Sequence, residues 1–264
     1  MMNPISFTPV GVVHCSNRYK YEAARQGIFT PGNQAVIEMF PGHNYETALS
    51  DLDGFERIWV LFVFDRNADW KPKVSPPITG GRKRYGVFAT RSPHRPNPLG
   101  LSCVKLEKID GLKLAVSGHD FLDGTPVLDL KPYIPAADAF PEAKAGWRDE
   151  ADAAELKVDF TENALKKMAY VEKLCGLDLQ NFCSVQLSHA PTSPERKRIE
   201  ILADGRYGIG CRTWQVIYRV GADGVRAEDV RSHYAAEELA PGAEDPYGDK
   251  DFHRAFRREF GDGD

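Results

Sequence analysis

The sequence predicts a mainly β protein in which a barrel or sandwich is followed by a small α+β unit. Three observations carry that expectation. Up to about residue 133 the chain reads as short apolar strands separated by turn residues, with little helical periodicity. Around Pro135–Asp152 the composition shifts to Ala, Pro, Asp and Glu, as in a linker. After it comes a helix with a start signal, an apolar face and a glycine stop, then further strand-like segments.

In chain order, Ile5 to Val13 is β-rich and apolar, and Val36 to Phe40 is a short strand before the Pro41-Gly42 turn. A short helix is expected near Tyr45 to Leu52. Arg57 to Phe64 (RIWVLFVF) is the strongest element, a near-continuous apolar run expected to form a strand buried on both faces. Val87 to Thr90, Leu101 to Ile109 and Leu112 to Gly118 follow as strands, with Asp110-Gly111 as a hairpin turn between the last two. Thr125 to Tyr133 is a further strand. Beyond the linker, Asp159-Phe160-Thr161-Glu162 reads as a helix start, with Leu165, Met168, Val171 and Leu174 on one face and Gly176 as the stop. A second helix is expected over Leu179 to Ser188, with strands at Ile199 to Leu202 and Trp214 to Val220. The last thirty residues read as an arm, or as a short helix docked through Phe252, Phe256 and Phe260. The expected divisions are residues 1–147, 153–232 and an acidic tail 233–264.

Composition narrows the function classes. The chain has 264 residues, 42% hydrophobic and 27% charged, as in ordinary globular proteins. No apolar stretch approaches the ~20 residues of a membrane span. Met1 to Val13 has no basic region and carries Pro4 and Pro9, so no signal peptide is expected. Five scattered cysteines without a C-x-x-C pair point to a reducing cytoplasm, and not to disulfides or a zinc ribbon. Isolated histidines give no metal site. The dinucleotide and phosphate-loop glycine fingerprints and the serine-hydrolase elbow are all missing. The net charge of −4 hides an asymmetry: Arg66 to Arg95 holds eight Lys or Arg against one acid, whereas Tyr234 to Asp264 holds nine acids against four bases. The first segment suits a phosphate backbone, or is a solvated loop.

Three stretches carry candidate chemistry. In Gly86 to Ser102 (GVFATRSPHRPNPLGLS), Pro93, Pro96 and Pro98 stiffen a loop presenting Arg91, Arg95 and Asn97. Ordered guanidinium groups suit carboxylates and phosphates, although a plain structural turn fits the same residues. In Asp120 to Tyr133 (DFLDGTPVLDLKPY), the Asp123-Gly124 turn and Thr125 can present amides and a hydroxyl to an adenine edge or an amino group, or can form a simple hairpin corner. His14 to Gly27 is a polar loop bearing Arg and Lys.

Together, ARQG, RIWVLFVF, ATRSPHRPNPLGLS and LDGTPVLDLKPY, in this chain order, resemble the TsaA-like (YaeB) family of S-adenosylmethionine-dependent tRNA adenine-N6 methyltransferases, over roughly Ile5 to Trp147. The resemblance implies a small antiparallel β-barrel without a Rossmann fold, usually a homodimer. It implies a substrate as well, N6-threonylcarbamoyladenosine beside the anticodon. It places cofactor contacts on Arg25, Gln26, Arg91, Leu101 and the turn Leu122, Asp123, Gly124, Thr125. The pair after the aromatic strand is implicated too. It is Asp65-Arg66 here, where the family more often carries a His-containing pair. Family members tend to have a D-P-R-P-type segment, implied to position tRNA, where this chain has His189 to Arg196.

A ureido N6 is a poor nucleophile, so a base would help remove its proton; Asp123 is the candidate, with Asp65 second and a capping role for Asp123 the alternative. Lys71, Lys73, Arg82, Lys83, Arg84 and Arg95 are the candidate tRNA contacts. Two other readings fit the same loops: methylation of another RNA or a small metabolite, and a non-catalytic nucleic-acid-binding barrel.

Overall fold

The computed structural model describes residues 5–20, 22–23, 32–79, 83–152, 155–193 and 198–261. The chain divides into two units, Met1–Pro76 with Arg82–Ala145, and Pro77–Gly81 with Gly146–Asp264.

The first unit is a closed six-stranded barrel. Its strands are β1 (Gly11–Cys15), β2 (Gln34–Met39), β3 (Arg57–Val63), β6 (Leu99–Asp110), β7 (Lys113–Ser117) and β8 (Pro126–Pro132), in the order β1-β2-β7-β6-β3-β8. Every barrel pairing is antiparallel. Alternation puts Val13, Ile37, Ile58, Val60, Val104, Leu114, Val116 and Val127 inside, all essentially inaccessible. β3 is not buried on both faces, as its sequence suggested. Ile58, Val60 and Phe62 point inward, while Trp59, Leu61 and Val63 are half-buried on the outer surface, because a closed barrel has one dry side. Trp59 there donates to Asp138 Oδ2 at 3.0 Å and packs on Tyr133. Gly100 is required by this interior: a Cβ would lie 2.2 Å from the Phe62 ring. That ring also meets Phe64 and Phe121 edge-on.

Short elements complete the unit: α1 (Tyr45–Ala48), α2 (Pro135–Asp138), and a two-stranded ribbon of β4 (Lys73–Val74) and β5 (Tyr85–Gly86). The first strand begins later than its apolar sequence suggested, with Ile5 and Phe7 exposed. The hairpin loop is Gly111-Leu112, one residue beyond the expected turn, since Asp110 still pairs with Lys113. Val87 to Thr90 is not a strand. The Thr90 amide and hydroxyl both donate to the Val87 carbonyl, at 3.1 and 2.8 Å, and wind Val87–Ala89 into a 3-10 turn.

The second unit carries α3 (Trp147–Asp152), β9 (Val158–Phe160), α4 (Glu162–Cys175), α5 (Leu179–Leu187), β10 (Ile199–Ile201), β11 (Tyr207–Cys211), β12 (Trp214–Gly221), β13 (Gly224–Ser232) and α6 (Lys250–Phe260). The sheet runs β10-β11-β12-β13-β9, with β9 parallel to β13. Thr161 caps α4, accepting the Ala164 amide through Oγ1 at 3.1 Å. Met168 and Val171 are buried as expected. Leu165 is exposed, and Lys167 is buried in its place, paired with Asp229 at 2.6 Å. In α6, Phe256 packs on Trp214 and Phe260 on Tyr170, while buried His253 stacks on Trp214 at 3.8 Å. An antiparallel barrel followed by an α+β unit is therefore the architecture of the chain.

Candidate functional site

Three polar segments converge at one end of the barrel. The turn 122–125 is laced to the exit of β1: Cys15 N–H donates to Asp123 Oδ1 at 3.1 Å, Asp123 N–H to the Asn17 carbonyl at 2.8 Å, and Gly124 N–H to the Val13 carbonyl at 2.8 Å. Gly124 holds φ +79°, a left-handed conformation that costs a glycine little. Asn17 Nδ2 donates to the Phe121 carbonyl at 3.1 Å. Just past β3, Arg66 bridges the same two loops, donating through Nη1 to the Arg18 carbonyl at 2.6 Å and through Nη2 to the Asp123 carbonyl. Lys20 Nζ closes the circuit on the Arg66 carbonyl and Asn67 Oδ1, both at 2.7 Å. Asp65 and Arg66 are exposed, Leu122 and Asp123 half-buried, and Thr125 buried. Burial pushes the Cys15 thiol up to about 11, with Asp123 adding to the rise, so it stays protonated near neutrality and is a poor nucleophile.

One step before this turn lies a carboxylate that the sequence did not single out. The Ser102 hydroxyl, facing into the barrel from β6, donates to Asp120 Oδ1. Burial raises the Asp120 carboxyl from 3.8 to about 6, opposed by Ser102, its own amide and the positive charge of Arg91. Both flanking residues are anchors. Phe121 is buried against Phe62. His119 is buried, accepts the Phe121 amide at Nδ1 (3.2 Å) and contacts the Gln34 carbonyl through Nε2 (3.1 Å). Burial drives its pKa down to about 4, so the ring is neutral, and its two hydrogen bonds put the proton on Nε2. A sequence signal existed: Ser102 sits at an inward-facing position of a strand whose inward neighbours are apolar.

The proline-rich loop is braced from within. Arg95 Nη1 donates to the Thr90 carbonyl at 2.8 Å and the Val87 carbonyl at 3.3 Å, and its guanidinium lies 5.8 Å from the Phe88 ring centroid. Phe88 is 77% exposed and Trp70 54%. Lys71, Lys73, Lys83 and Arg84 are exposed around the β4–β5 ribbon, where Arg84 Nη2 donates to the Lys73 carbonyl at 2.8 Å and Lys83 Nζ lies over Tyr85. Arg91 is exposed and acts electrostatically on Asp120. Leu101 points outward from β6, the opposite face from Ser102, and is 53% exposed. The structure thus brings together Arg66, Leu122, Asp123, Gly124 and Thr125, and leaves Arg91 within electrostatic reach of Asp120. Arg25, Gln26, Arg82 and residues 194–196 lie outside the described residues.

Among the described residues no His, Cys, Asp or Glu cluster could hold a metal ion, and no helix is long and apolar enough to cross a membrane. The donor set instead suits a zwitterionic, sulfonium-bearing nucleoside. Exposed Arg91 can match a carboxylate, exposed Asp65 a cationic group, and exposed Leu101 offers apolar surface for a base.

A closed antiparallel barrel whose polar rim ties Arg66 to the turn 122–125, with a basic ribbon in the same unit, is a barrel of non-Rossmann type. The chain belongs to the tRNA-methyltransferase O family, whose N-terminal domain model matches residues 12–139. It is 37% identical over 225 residues to the tRNA (adenine(37)-N6)-methyltransferase of Escherichia coli (strain K12), covering 83% of this chain and 94% of that one. It is 40% identical over 164 residues to a putative S-adenosylmethionine-dependent methyltransferase, RcsF, of Pseudomonas aeruginosa, covering 61% and 68%. The crystal structure of TrmO from Pseudomonas aeruginosa superposes with a TM-score of 0.62 at 30% identity, over 87% of this chain and 99% of that one.

Proposed function

We propose that the protein transfers a methyl group from S-adenosylmethionine to N6 of N6-threonylcarbamoyladenosine beside the anticodon of tRNA. The observation that carries this reading is the convergence of the loop after β1, Arg66 and the turn 122–125 on one barrel end, in a chain aligned with the Escherichia coli enzyme over nearly its whole length. When bound, the cofactor supplies an electrophilic methyl group on a sulfonium.

The chain supplies position. Arg66 and the Cys15–Asp123 bond hold the turn that presents Leu122 to Thr125, and exposed Arg91 would hold the methioninate carboxylate. Arg25 and Gln26 join the cofactor contacts. Asp123 serves the turn through Oδ1, which is taken up by the Cys15 amide. Lys71, Lys73, Arg82, Lys83 and Arg84 seat anticodon-stem phosphates, and exposed Phe88 and Trp70 offer stacking faces to unpaired bases. Arg95 stiffens the loop between them. The second unit positions tRNA, and the protein works as a cytoplasmic homodimer.

The test is transfer of labelled methyl from S-adenosylmethionine to bulk tRNA, followed by mapping of the labelled position. Label confined to the adenosine next to the anticodon supports the reading. Cofactor binding with no RNA labelling refutes it.

A further inference from the structure

Resting on that reading, we propose that Asp120 is the general base that removes the N6 proton, with Ser102 as the residue that positions it. Four carboxylates from the described residues lie in the segments that form this end of the barrel. Glu22 is buried and accepts the Arg18 and Tyr19 amides through Oε2, at 2.8 and 3.2 Å. Asp123 accepts the Cys15 amide. Asp65 is exposed on a loop. Asp120 and Asp123 are both part-buried and both held at Oδ1, but Asp123 is bonded to the backbone of the loop that it ties down, whereas Asp120 is held by a side-chain hydroxyl. Its neighbours His119 and Phe121 are locked into the barrel, and a hydroxyl from the barrel interior holds Oδ1.

The groups facing it suit a base. Ser102 donates from β6, Arg91 presents its charge from the proline-rich loop, and His119 stays neutral above about pH 4. Burial keeps the carboxylate from being as weak a base as a solvated one, and its value of about 6 leaves it ionised at neutral pH. In the step, N6 gives its proton to Asp120 while its electron pair forms the bond to the methyl carbon. The pair of the breaking C–S bond stays on sulfur, which leaves as a neutral thioether.

The experiment compares wild type with Asp120→Asn, Asp120→Glu and Ser102→Ala in single-turnover methylation of threonylcarbamoylated tRNA, from about pH 5 to pH 9. Binding of S-adenosylhomocysteine and of tRNA is measured in parallel. The wild-type rate should rise with pH through an inflection near 6 and level off. Asp120→Asn should lose about 10²–10⁴-fold in rate and the inflection itself, with both affinities retained. Asp120→Glu should recover part of the rate. Ser102→Ala should move the inflection upward, because the lost hydrogen bond favoured the anion. An Asp120→Asn rate within about threefold of wild type across the range overturns the proposal. So does loss of S-adenosylhomocysteine affinity with the saturated rate intact, which makes Asp120 a cofactor ligand. A wild-type protein that binds S-adenosylhomocysteine yet leaves this nucleoside unmethylated instead overturns the functional reading, and the inference with it.

Discussion

Replacing Arg66 with Ala removes the side chain that joins the loop after β1 to the turn 122–125. Two hydrogen bonds from a charged guanidinium to carbonyl oxygens are lost. Each such bond is worth about 1.5–3 kcal/mol when dry, and Arg66 is exposed, so the low end applies. With water competing for the freed carbonyls, the two together should cost the assembled rim about 1.5–3 kcal/mol. Barrel strands are untouched, so the loss should appear as ligand affinity and not as global unfolding. At about 1.4 kcal/mol per tenfold, affinity for S-adenosylmethionine should fall roughly 10–100-fold. Calorimetric titration with S-adenosylmethionine and S-adenosylhomocysteine measures it, alongside thermal unfolding. Arg66→Lys, which keeps the charge but loses the fork, should recover only part of the loss. Arg66→Ala binding within about twofold of wild type would refute the idea that this bridge shapes the site.

Three further outcomes are expected. Lys83→Ala with Arg84→Ala should weaken tRNA binding, lower the slope of log affinity against log salt by about 2, and spare cofactor affinity; an unchanged slope in a filter-binding series would remove this ribbon from the interface. Gly100→Ala should destabilise the barrel by about 1–3 kcal/mol in urea titrations, because the new methyl meets the Phe62 ring inside a core with no room to yield, and a neutral result would contradict the packing described. Asp120→Asn should raise stability above about pH 6. The folded-state carboxyl value lies above the unfolded one, so the native protein is favoured at low pH and loses stability as pH rises through about 6. Relief of that penalty, about 2 kcal/mol after allowing for partial exposure, should be seen in denaturant midpoints at about pH 8 and vanish below about pH 4. A variant less stable than wild type at pH 8 would contradict the sign.

Elements with one dominant local signal were legible in the sequence. RIWVLFVF read as a strand, and the segment Asp159 to Glu162 with Gly176 marked both ends of α4, although the cap is Thr161 and Asp159 lies in β9. Harder segments were those in which tertiary pairing outweighs local pattern. β11 (YGIGC) carries two glycines, and β13 (GVRAEDVRS) is charged on its outer face, so neither shows a plain strand signature until β12 lies between them. Val87 to Thr90 has β-prone residues, yet two bonds from Thr90 wind it into a turn.

The site divides in the same way. The turn 122–125 was readable as a motif and Asp65-Arg66 only by its position in the family resemblance, whereas the Arg66 bridge runs to main-chain carbonyls and leaves no trace in composition. Asp120 escaped notice because it lies in a loop whose environment is made by Ser102, eighteen residues away on β6.

The most direct test of the account offers the purified protein and S-adenosylmethionine two versions of one tRNA, with threonylcarbamoyladenosine or plain adenosine next to the anticodon. The nucleosides are then analysed by mass spectrometry. The account predicts a gain of one methyl on the threonylcarbamoylated nucleoside and none on plain adenosine. Methyl on plain adenosine, or on neither, would contradict it.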